Sequence, residues 1–188
     1  KGLNDMGEKT KAFGSKVAGI MKGAAIAVGV AFAGMAVAGT KEFMEFEKQI
    51  SEVFTLIPNA STKMRDSLEG DIRALAAGMG VDLTDATKSL YSAISAGIPE
   101  GNAVEFLAVA TKTAVGGVAS LEDSVAALTT VINGYGMEAT DAEKVSDILF
   151  TTVKKGVTNM TELAANIGKV TPVAADLGIE FKEVGAMF

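Results

Sequence analysis

Apolar residues recur three and four positions apart along nearly the whole chain, and Gly, Ser, Thr or Asp interrupts them at regular intervals. That period belongs to amphipathic α-helices; the alternation of a half-buried strand is rare here. The clearest run is Phe43, Phe46, Ile50, Val53 and Ile57, which is heptad spacing. Traced backwards, the same seam meets Gly39, Ala36, Phe32 and Gly29, roughly four heptads of one stripe. The pattern predicts one helical stretch from about residue 5 to about residue 57, stopped by Pro58 and Asn59. Phe54 and Leu56 broaden its apolar face at the end, so this part is expected to dock onto the helices that follow.

Shorter helices come next, each with start and stop signals. Ser61 or Thr62 caps a helix through Leu68, Ile72 and Leu75 that ends at Gly78 and Gly80. Asp82 or Thr84 opens another, with Leu90 and Ile94 on its face and Gly97 as its stop. Pro99 and Asn102 introduce a helix through Leu107 that ends at Gly116-Gly117. Ser120 with Asp123 resembles a capping box ahead of Val125, Leu128 and Ile132, and Thr140 with Glu143 repeats it ahead of Val145 and Leu149. Thr158 starts a helix through Leu163 and Ile167, which Pro172 is expected to kink or end. Gly80-Val81, Gly117-Val118, Gly156-Val157 and Gly178-Ile179 form a weak echo. It reads as a solenoid repeat, or more simply as a C-cap glycine followed by an apolar residue tucked into the core. The expected fold is all-α: one long N-terminal helix, then a compact bundle of about six shorter helices.

Composition narrows the chemistry. The 188 residues contain no His, Cys or Trp. Without His and Cys there is no zinc-type ligand set, thiol nucleophile, imidazole base or disulfide. The acids Glu42, Glu45 and Glu47, and Asp141 with Glu143, fit solvated faces and helix first turns better than a carboxylate pair of a glycosidase. No catalytic, cofactor-binding or metal-binding residue is assigned. The net charge of −6 is uneven. Lys1, Lys9, Lys11, Lys16 and Lys22 face only Asp5 and Glu8 in the first stretch, and the remainder is acidic. An acidic body argues against sequence-specific nucleic-acid binding.

Residues 23–39 read GAAIAVGVAFAGMAVAG and carry no charge. A helix over 17–39 would be about 34 Å long, enough for a bilayer core of about 30 Å. Gly19, Gly23, Ala25, Gly29, Phe32, Ala33, Gly34 and Ala38 make it a candidate helix-packing or membrane segment, because small residues four apart let helices approach closely. Three readings stand: a membrane-inserting helix, a signal peptide, and a close-packed helix in an oligomeric bundle. The chain divides at residues 1–40, a basic arm plus Gly/Ala-rich helix, and 41–188, a helical domain. The first residue is Lys1 and the last stretch opens a further helix, so the chain is expected to be a piece of a longer protein.

From FEKQISEVFTLIPNAS onward, the chain resembles the core region of phage tail tape measure proteins. Phe46-Glu47-Lys48 follows the apolar helix, and later helices end at Ser95-Ala96-Gly97 and at Gly134-Tyr135-Gly136. Asp141 to Asp147, a Gly-Val-Thr-x-x-x-Glu-Leu turn from Gly156 to Leu163, and Ala174 to Ile179 complete the order. One departure is Lys144-Val145-Ser146, where the family usually has Ala before an Asp. The resemblance covers about residues 42–188 and rests on the ordered set, since no single motif is specific. It implies a non-enzymatic ruler and scaffold in the lumen of a phage tail, made in the host cytoplasm and expelled at infection. The implied partners are copies of itself, often threefold, then tail tube and baseplate or tail-tip proteins, and the host membrane after ejection. It implies no cofactor. The competing reading is a membrane-inserting or secreted pore-former outside any virion.

Overall fold

The computed structural model describes residues 40–187. The expected N-terminal helix, the Gly/Ala-rich segment and its eight candidate residues lie before Thr40 and so outside the described residues.

Every regular element among the described residues is helical. They are α1 (Thr40–Leu56), α2 (Thr62–Met79), α3 (Leu83–Ser95), α4 (Glu100–Gly117), α5 (Leu121–Gly134), a 3-10 turn (Ala139–Asp141), α6 (Ala142–Lys155), α7 (Met160–Asp176) and α8 (Phe181–Met187). Side-chain caps fix four of the starts by accepting otherwise orphaned backbone N–H groups. Ser61 Oγ accepts from Met64 N at 3.2 Å and Ser120 Oγ from Asp123 N at 3.0 Å. Asp82 Oδ1 accepts from Thr84 N and Asp85 N, at 2.8 and 3.2 Å. The fourth start differs from expectation: Asn159, not Thr158, caps α7, its Oδ1 accepting from Glu162 N at 2.9 Å. Thr140 also fails as a cap. It lies inside the 3-10 turn, where Asp141 Oδ2 accepts from Glu138 N at 3.2 Å.

Five of the described helix ends share one geometry. After α2, α3, α4, α5 and α7 a left-handed residue lets the next N–H reach back to the last turn: Val81 to Ala76, Ile98 to Ala93, Ala119 to Ala114, Met137 to Ile132 and Ile179 to Ala174. The left-handed residue is Gly80, Gly97, Gly136 and Gly178 in four cases, and Val118 (φ 51°) in the fifth. The expected role of Gly116-Gly117 is therefore corrected: both remain helical. A Cβ on Gly116 would lie 2.7 Å from the Phe150 ring, and one on Gly117 would lie 2.9 Å from Met160. These glycines are spent on close approach of α4 to α6 and α7, so the turn falls to Val118. Val118 and Val157 are fully solvated instead of tucked into the core. Gly156 is extended (φ −90°, ψ 178°) and makes no left-handed cap.

The core is one continuous cluster. α5 lies at its centre, packed most extensively on α7 and also on α3, α4 and α6. Gly134 permits the α5–α7 contact, since a Cβ there would collide with the Thr171 methyl. Buried hydroxyls mostly return to their own helix: Thr111 to Leu107 O, Thr129 to Val125 O and Thr171 to Ile167 O, each at 2.8 Å. Between α4 and α6, the Thr113 and Ser146 hydroxyls share a buried hydrogen bond of 2.7 Å. Pro172 does not end α7, which runs on to Asp176. Pro172 is solvent-exposed while Thr171 and Ala174 beside it are buried, so packing of the opposite face carries the helix past the missing N–H.

Candidate functional site

The seam residues Phe43, Phe46, Ile50 and Val53 lie on α1, and Ile57 directly follows it. Phe46, Ile50, Val53 and Ile57 are buried within this chain's own core, and Phe43 is 50% exposed. α1 packs chiefly on α3, and two arginines of α2 grip it from the side. The Arg73 guanidinium lies 5.5 Å from the Phe43 ring centre and 4.5 Å from that of Phe46, and pairs with Glu69 at 2.5 Å. Arg65 lies 5.1 Å from the Phe54 ring centre. It also donates from Nε to Ala60 O at 3.2 Å and from Nη2 to Pro58 O at 3.3 Å, tying down the α1–α2 turn.

Between these grips α1 buries an amide. Gln49 is 6% exposed, and its Nε2 donates to Glu45 Oε1 at 3.0 Å. Its buried Oε1 has no protein partner. A cavity of about 350 Å³ lies alongside, walled by Gln49 and Glu52 of α1, Asp85, Lys88 and Tyr91 of α3, and Glu122 of α5. Tyr135 holds the second orphan, a buried hydroxyl without a partner. Burial, with Glu183 adding to it, pushes its pKa up, and its ring meets Phe181 at 5.7 Å.

The sequence reading missed Arg65, Arg73, Gln49 and Tyr135. Gln49 was detectable, because it follows Phe46 by three on the apolar face. The arginines were not, because their ring partners sit on another helix. Glu45, Glu47 and Glu143 are exposed. Among the described residues no three acids gather as a metal site. No described helix is by itself long and apolar enough to cross a membrane; α4 and α5, bent by 118°, pass that test only as a pair.

The arrangement is a helix-packing domain, with its distinctive side chains spent on holding helices together. Residues 69–188 match the phage-related minor tail protein family, and the chain belongs to it. It is 29% identical over 168 residues to a probable tape measure protein of Clostridium phage phiCD119, covering 87% of this chain and 18% of that protein. It is 24% identical over 181 residues to a tape measure protein of Pneumococcus phage Dp-1, covering 95% of this chain and 16% of that one. The chain thus spans less than a fifth of the length of these relatives. No solved structure matches it. The tape measure resemblance in the sequence and these relatives agree, and the chain is a phage tail protein of tape measure type.

Proposed function

We propose that this chain is a section of a tail-length ruler, lying in the tail lumen as the scaffold around which tube subunits polymerise, and expelled when the phage infects. The observation that carries this reading is similarity to two tape measure proteins along 87% and 95% of the chain. In this reading residues 1–40 form the basic arm and apolar helix, joined through Phe43 to the bundle of 41–188. The segment 17–39, with Gly19, Gly23, Ala25, Gly29, Phe32, Ala33, Gly34 and Ala38, associates with copies of itself in the tail and enters the host membrane after release.

Phage genetics tests both halves. In-frame deletions in the parent gene should shorten tails in proportion to the residues removed; unchanged tails would sink the ruler. Gly29→Asp should leave tail length alone but block genome delivery, because a charge at a bilayer centre costs about 3 kcal/mol. Normal infectivity of that variant would remove the membrane role and leave the ruler standing.

A further inference from the structure

We propose that α1 is a detachable strap: it opens from the bundle as a unit, hinged at Pro58-Asn59, while α2–α8 stay folded. Three observations lead there. The first is position. Among the described residues α1 packs chiefly on α3, whereas α5 is held by α3, α4, α6 and α7.

The second is the quality of the seat. The middle of α1 buries the Gln49 amide with its oxygen unpartnered. An orphaned buried acceptor keeps its desolvation penalty in the closed state and loses it to water in the open one. The cavity of about 350 Å³ beside Gln49 lies between α1, α3 and the start of α5, where packing would otherwise resist opening.

The third is how the ends are held. Arg73 and Glu69 have partly exposed side chains, 26% and 31%, so the ion pair over half-exposed Phe43 and buried Phe46 sits at the rim of the core. Arg65 holds the Pro58 and Ala60 carbonyls at the hinge itself, and its stacking on Phe54 is the contact at this end that opening breaks. An element seated chiefly on one neighbour, with an unpartnered amide oxygen in that seat, opens below the global unfolding free energy.

Opening releases a 17-residue arm, about 26 Å long as a helix. It frees Phe46, Ile50 and Val53, which in sequence continue the stripe of Gly29, Phe32, Ala36 and Gly39. Closed, Phe46, Ile50 and Val53 are spent on the chain's own bundle; open, they are available to a partner helix. Strap opening is a property of the chain itself and does not depend on its place in a tail.

Amide hydrogen exchange on the 188-residue chain tests it. Residues 44–56 should exchange at least about tenfold faster than α5 and α7. Val53→Asp, which puts a charge at a fully buried position, should strip protection from α1 and leave α5 and α7 protected. Exchange of α1 at the rate of α5 and α7 would overturn the strap. So would loss of protection throughout the chain in Val53→Asp.

Discussion

Val118 is a β-branched residue at φ 51° and ψ 47°, 92% exposed, in a turn whose four counterparts use glycine. The left-handed region costs an L-residue about 1–2 kcal/mol, and no burial of this side chain offsets it. Val118→Gly should therefore stabilise the chain by about 1 kcal/mol, less some backbone entropy, and raise Tm by about 3 °C. Unchanged or lower Tm would mean that the turn is relaxed as it stands. Sequence could not reveal this site. Gly116-Gly117 reads as a C-cap, and only the nearness of Phe150 and Met160 shows that both glycines are committed to helix approach. Val157 differs: Gly156 before it is extended, so its exposure carries no comparable strain.

At the scale of elements, glycine inside a helix has opposite values in two places. Gly134 of α5 lies against the Thr171 methyl of α7, while a Cβ on Gly70 of α2 would meet nothing within 4 Å. Gly70→Ala should gain about 0.5–1 kcal/mol from helix propensity. Gly134→Ala, at the last residue of α5, gains less from propensity and collides with Thr171 of α7, and overpacking costs about 1–3 kcal/mol, so a net loss is expected. Paired thermal melts would check this; equal shifts would mean that α5 and α7 do not meet closely. The helices themselves were legible. Apolar stripes at three and four, with Ser61, Asp82 and Ser120 as caps, carry local information that needs no partner. Thr158 and Asn159 are neighbouring candidates at the start of α7, and Asn159, the better cap by type, is the one that accepts from Glu162 N. Pro172 does not end α7, because its penalty is local while the burial of Ile167, Thr171 and Ala174 that carries the helix onward is tertiary.

The described residues form a compact bundle centred on α5, and the chain spans less than a fifth of its tape measure relatives. Which helices neighbour which was not legible, because periodicity gives a helix a face and not a partner. The class of protein was legible, through an ordered series of weak motifs from Phe46-Glu47-Lys48 to Ala174-Ala175-Asp176 that no composition argument supplies. If the chain lies in the lumen as proposed, its acidic body repels DNA passing through that space. Location in the lumen is the claim on which the ruler and the scaffold both depend. Protease digestion of purified tails, read by mass spectrometry of peptides from residues 40–187, tests it most directly. Intact tails should leave these peptides uncut, and tails opened at the tip should lose them. Cleavage at the same rate in intact and opened tails would place the chain outside the tube and contradict the account.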